Sequence, residues 1–140
     1  MPPMNADELK EFATRYTAAW CSQNAASVAG FFAENGSLTI NDGEPSVGRD
    51  AITEAAQGFM SAFPDMIVEM DDVSLEGDHA IYRWTLVGTN TGTGGTGNAV
   101  RISGYEQWKF AADGLISESR GNFDEVEYQR QLEHGVDATE

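Results

Sequence analysis

Bases are scarce in this sequence. Eight lysines and arginines stand against 23 aspartates and glutamates, a formal charge of −15 over 140 residues. Such a surface repels phosphate backbones and anionic headgroups, so neither nucleic acid nor membrane is an expected partner. Cysteine is almost absent: Cys21 stands alone, no internal disulfide is possible, and a cytoplasmic setting is expected. With two histidines beside that one cysteine, a Cys/His zinc site is not expected, and no cofactor is implied by any spacing. No apolar run approaches the roughly 18–20 residues of a membrane span. The opening "MPPMNADELKEF" has no basic stretch followed by an apolar one, so no signal peptide is read. The glycine-rich "GTNTGTGGTGN" lacks the lysine and helix opening of a phosphate loop.

What is present is ordinary globular material. The hydrophobic fraction is 41 %, and the length suits one domain over 1–140, ordered from about 5 to 135, with short tails and an acidic end. Asn5 followed by Asp7 and Glu8 predicts a helix start. Leu9, Phe12, Ala13, Tyr16, Ala19 and Trp20 then recur at helical spacing. A short helix is expected from Ala25 to Phe32, and a short strand in "SLTIND". Asp50 is the expected cap of a third helix carrying Ile52, Ala55, Ala56, Phe59 and Phe63. Beyond Pro64 the period changes to two. Met66 to Leu75, His79 to Asn90, Ala99 to Phe110 and Leu115 to Phe123 alternate as four strands of an antiparallel meander. Gly104 inside this pattern suggests a bulge or bend. A tail helix is expected between Asp124 and Gly135. Helices first and strands second imply an α+β domain, with helices covering one face of a bent sheet.

The segment "GLISESRGNFDEVEY" is unusual because neither of its two faces is apolar. One parity carries Glu118, Arg120, Asn122 and Asp124, which is costly for a strand inside a core. That parity is expected to face a sheltered hollow and treat a bound molecule as its polar partner. On the preceding strand, Glu106 interrupts the apolar series Val100, Ile102, Gly104, Trp108 and Phe110. The "AADG" connection makes the two strands a hairpin, which would bring Glu106 near Arg120. Two plainer readings compete: Arg120 forms a structural ion pair with Glu106 or Glu118, and Asp124 caps the tail helix. His79 reads as an exposed turn residue, His134 as solvated, and Cys21 as a small buried group.

The stretches "FPDMIVEMDDVSLEGDHAIYRWTLVGTNTG", "RISGYEQWKFAADGLISE" and "NFDEVEYQRQLEHG", with "VGRDAI" before the third helix, carry a resemblance over most of the chain. The sequence resembles the nuclear transport factor two-like superfamily, and within it the SnoaL-like polyketide cyclases and ketosteroid-isomerase-like proteins. The resemblance implies three N-terminal helices against a curved, cone-shaped antiparallel sheet that encloses an apolar pocket, and a homodimer. The outer face of the sheet, with Tyr82 or Ile81, Tyr105 and Leu115, would meet the partner copy. Asn90 stands where such proteins commonly carry the histidine of "GTHTG", and Arg120 where they commonly carry a tryptophan; the aspartate closing the last strand is matched by Asp124.

The expected chemistry is cofactor-free proton abstraction beside a carbonyl, as in a cyclase or isomerase. Asp124 is the leading base and Glu106 the alternate. Arg120 or Asn122 would hold developing enolate charge. Tyr16, Trp20, Trp84 and Trp108 would form flat walls for a small apolar or aromatic ligand, with Asn90 beside them. Two alternatives stay open: an epoxide-hydrolase- or dehydratase-like enzyme, in which Arg120 sits between Asp124 and Glu106, and a non-catalytic ligand-binding or interaction module.

Overall fold

The computed structural model describes residues 5–41, 43–77, 79–92 and 94–135; the acidic end expected beyond them lies outside. Helix α1 (Ala6–Cys21) starts as its sequence requires. The Asn5 side chain accepts from the Glu8 N–H, and Glu8 accepts from the Asn5 N–H, so two orphan donors are satisfied reciprocally. Its stripe from Leu9 to Trp20 is buried as the spacing predicts. Helix α2 (Ala25–Ala29) is three residues shorter than expected. Helix α3 (Arg49–Ala62) begins before the expected cap, with Gly48 at φ 90° as its N-cap and Asp50 in the first turn. Helix α4 (Glu125–His134) follows directly on the sheet.

The sheet has six strands, one more than the expected meander and the short strand before the third helix, in the order β2-β1-β6-β5-β4-β3. The meander consists of β3 (Ile67–Glu76), β4 (His79–Thr89), β5 (Ala99–Phe110) and β6 (Ile116–Phe123), close to the expected bounds. β1 (Phe32–Ile40) contains most of the strand expected in "SLTIND" but begins earlier, at the end of the expected second helix. It pairs parallel with β6, with a register irregularity between Phe32 and Ser37, and the two-residue β2 (Ser46–Val47) adds to its far side. The free edge of β6 accounts for the longer strand: once β5 and β6 form a hairpin, that edge offers unpaired backbone groups that a neighbouring segment must satisfy.

Gly104 causes no bulge. It pairs regularly with Trp84 on one side and Phe123 on the other, and the register shifts lie elsewhere. A Cβ at position 104 would stand 2.3 Å from the Asn122 carbonyl oxygen and 2.7 Å from Trp84 Cζ2. Glycine is there so that the Trp84 ring can lie across the strand.

One core joins the helical stripes to the inner sheet face. Tyr16, Phe32, Ile52, Met60, Phe63, Tyr82, Trp108 and Ile116 are all fully enclosed. Tyr82 and Trp108 stack at 4.8 Å between ring centres, and Phe12 and Tyr16 of α1 meet Trp108 edge-on. The inner parity of β6 is Ser119 and Gly121, both buried, so the expected inward face of that strand is reversed. Tyr82 likewise faces inward, at 1 % exposure, and not toward a partner. Cys21 is exposed, with Sγ 3.3 Å from the Val68 backbone oxygen. No described helix is long and apolar enough to cross a membrane.

Candidate active site

Strand pairing sets the site. Glu106 lies opposite Tyr82 on β4 and Gly121 on β6, on the inner face that the apolar parity of β5 defines. It is the one acid on that parity, and it is 7 % exposed. Three donors converge on its Oε1: Tyr16 Oη at 2.9 Å, Trp108 Nε1 at 2.9 Å and Ser119 Oγ at 2.7 Å. Oε2 accepts no hydrogen bond among the described residues, and Glu106 forms part of a cavity wall. Oε2 is therefore the oxygen left free of those three donors.

Burial pushes the Glu106 carboxyl above its ordinary range, against the pull of its three donors. Burial, and then the nearby Glu106 charge, push the Tyr16 hydroxyl far up, so Tyr16 stays a donor. Burial also raises Tyr82, whose hydroxyl meets Thr17 Oγ1. The result is a fixed, desolvated carboxyl group with one engaged oxygen and one available oxygen.

The cavity has room of about 60 Å³ for water-sized molecules and opens to solvent at a mouth. Aromatic rings of Trp20, Phe59, Tyr82, Trp84, Phe123 and Tyr128 line it. Leu38, Ile40, Val68, Leu86 and Ile102 complete the apolar wall, with Gly121 beside Glu106. Among these lining residues Glu106 is the single acid, and none is basic. No group of three or more His, Cys, Asp or Glu among the described residues is placed to hold a metal.

The residues singled out from the sequence divide sharply. Trp20 and Trp84 line the cavity. Tyr16 and Trp108 lie one layer deeper and hold Glu106. Arg120 does not approach Glu106. It sits opposite Gln107, its side chain is 67 % exposed, and its Nε donates to Glu118 at 2.8 Å. Asp124 is exposed and caps α4, accepting from the Glu127 N–H at 3.1 Å. Asn122 lies opposite Tyr105 and does not line the cavity. Asn90 is buried but spent on the chain itself, donating to the Ala62 carbonyl and accepting from the Thr96 N–H. The expected meeting of Asp124, Arg120 and Glu106 therefore does not occur. The opposite face of β6 is the outer one, and polar side chains there are solvated, which removes the cost that pointed to a hollow.

Ser119 and Tyr82 were not singled out as site residues. Ser119 belongs to the parity read as outward, and its signal was present only in the pairing of β6 against Glu106. Tyr128 reaches the cavity from α4, a placement that no local pattern encodes.

This arrangement, a cone of curved sheet closed by helices over an enclosed carboxylate, defines the class: the nuclear transport factor two-like, ketosteroid-isomerase-like fold. The chain belongs to the SnoaL-like polyketide cyclase family, whose pattern matches residues 10–132. A putative SnoaL-like polyketide cyclase from Jannaschia sp. CCS1 superposes with a TM-score of 0.79 at 15 % identity, covering 95 % of this chain and 98 % of that one. A hypothetical protein with a ketosteroid isomerase-like fold from Catenulispora acidiphila, in complex with trimethylamine, gives 0.76 at 17 % identity, covering 87 % and 92 %. The epoxide hydrolase/cyclase-like enzyme SalBIII, of pyran ring formation in salinomycin, gives 0.75 at 17 % identity, covering 88 % and 95 %. At such identities the likeness is one of fold. No curated protein matches the sequence.

Proposed function

We propose that this protein is a cofactor-free enzyme that removes a proton beside a carbonyl group, with Glu106 as the base. The observation that carries the reading is the asymmetry of the Glu106 carboxyl: three donors on Oε1, none on Oε2, at the wall of an aromatic cavity. A carboxylate raised by desolvation is a stronger base than one in water, and its fixed orientation lowers the entropic cost of reaction. In the reaction, Oε2 takes the proton from the α-carbon and the C–H electrons pass into an enolate. In a cyclisation, the enolate carbon bonds to a second carbonyl carbon of the same substrate, and that carbonyl oxygen takes the proton back from Glu106. In an isomerisation, the proton returns to a different carbon. Both routes balance without an oxidant or metal.

The substrate class is a neutral, flat molecule, because an anion would meet an acidic protein and an unneutralised carboxylate. Membership of a cyclase family supports the reading. The epoxide reading has less support, since Arg120 does not stand between two acids at the cavity. The working form is taken to be a homodimer, which the exposed Tyr105 on the outer face of the sheet supports.

The test is exchange of the α-protons of a neutral aromatic ketone in heavy water, followed by proton NMR. Glu106→Gln should slow protein-dependent exchange by about 100-fold or more. Asp124→Asn should leave it within about twofold, because asparagine caps a helix nearly as well as aspartate. Wild-type rates in the Glu106→Gln protein, or loss of exchange in Asp124→Asn instead, would remove Glu106 from the role.

A further inference from the structure

One residue of the cavity wall, Trp84, carries a polar group that the described residues leave unpaired. Trp84 Nε1 is buried and has no hydrogen-bond partner among the described residues. A buried donor left unpaired is destabilising. The other two tryptophans show the contrast: Trp108 spends its N–H on Glu106, and Trp20 is not among the unpaired buried groups. Trp84 is also held deliberately in place. Its ring lies over Gly104, where any Cβ would collide with it, and it meets Phe123 edge-on at 6.0 Å.

Its position relative to Glu106 follows from the pairing. Tyr82 is opposite Glu106 and Trp84 opposite Gly104, so Trp84 and Glu106 are diagonal neighbours on adjacent strands of one face. Such positions lie about 7–8 Å apart. Both side chains line the same cavity. The two residues are thus close enough on one wall for a single small molecule to touch both.

We propose that the Trp84 indole N–H is the donor that binds the substrate carbonyl and holds the enolate charge that Glu106 generates. This deepens the proton-abstraction reading and rests on it. It fills the role expected of Arg120 or Asn122, which the fold turns outward. Because the donor is neutral, it favours a ketone or an ester carbonyl and gives no ionic hold to a carboxylate. As the enolate forms, the bond becomes charge-assisted and strengthens, which is the differential that accelerates a reaction.

The probes are 1-tetralone and tetralin, alike in shape and differing by the carbonyl. Both are titrated into the wild type, Trp84→Phe and Glu106→Gln, with indole N–H signals followed by ¹⁵N-edited NMR. Saturating tetralone is expected to move one indole signal of the wild type downfield, the signal that Trp84→Phe lacks. Trp84→Phe is expected to bind tetralone about tenfold more weakly and tetralin as before. Glu106→Gln is expected to keep the Trp84 shift while losing exchange. The proposal is overturned if Trp84→Phe weakens both probes alike, which would make the residue a wall only. It is equally overturned if the Trp84 signal does not move, as for an N–H lying against the Phe123 ring, or if neither probe binds the wild type. A Trp84 shift together with undiminished exchange in Glu106→Gln would sink the base assignment and leave the Trp84 contact standing.

Discussion

Glu106 shows how one side chain is tuned by its neighbours. Burial disfavours its charged form, and the Tyr16, Trp108 and Ser119 donors partly offset this. The folded protein then holds the Glu106 proton more tightly than the unfolded chain does. An acid raised in this way stabilises the fold below the ordinary glutamate range, and that contribution is lost as pH climbs through the folded value. Glu106→Gln keeps an oxygen for the three donors and removes the titration. The wild type should therefore lose melting temperature relative to Glu106→Gln from about pH 4 upward, then run parallel to it above the folded value. A melting difference independent of pH, measured by calorimetry, would mean that Glu106 is not raised. Other acids of this chain behave oppositely and are surface matters. Glu127, paired with Arg130 and Gln131, is lowered to about 2, and Asp65 is lowered by the Thr89 N–H. Neither faces the cavity.

Helix α4 supplies one side of the cavity wall through Tyr128. β6 stops opposite Gly104, so β5 runs on toward Ala99 without that neighbour. Gln131, 4 % exposed, takes over. Its Oε1 accepts from the Arg101 N–H at 2.6 Å, and its Nε2 donates to Glu127 at 2.7 Å. Asn98 Nδ2 adds a bond to the Leu132 carbonyl at 2.9 Å. These contacts hold Tyr128 against Phe63 and Phe123, where it forms cavity wall. Gln131→Ala should cost about 1–3 kcal/mol in urea unfolding, through the unpaired Arg101 donor. It should also weaken ligand binding, by loosening Tyr128. Unchanged stability and affinity would show that α4 is held by its apolar contacts alone.

The whole molecule carries a charge of −15, and any assembly of copies must overcome it. A homodimer across the outer sheet face is therefore expected to tighten with salt, as screening shortens the range of repulsion to about 8 Å at 0.15 M. Light scattering should give twice the chain mass, with the dimer fraction rising from low to moderate ionic strength. A single-chain mass at every salt concentration would rule the dimer out. On the proposed reading the same charge is expected to weaken binding of anions, since the field of the protein and the Glu106 carboxylate both repel them.

Much of the fold was legible in the sequence, for reasons that are local. The capping pattern at Asn5, the stripe from Leu9 to Trp20 and the period-two runs of the meander each report a choice made within a few residues. Glu106 was legible for the same reason: an acid on an apolar parity is visible without coordinates. What the sequence did not carry was the direction of β6. Both of its parities are mixed, so neither burial pattern won locally, and a one-residue change of face exchanges Ser119 for Arg120. Only the pairing of β6 with β5 and β1 settled it. That pairing set Ser119 on Glu106 and left Arg120 and Asp124 to solvent and to a helix cap. Composition and periodicity determined most of the elements and marked Glu106 as an acid on an apolar face; the long-range register, which no short segment contains, decided which groups surround it.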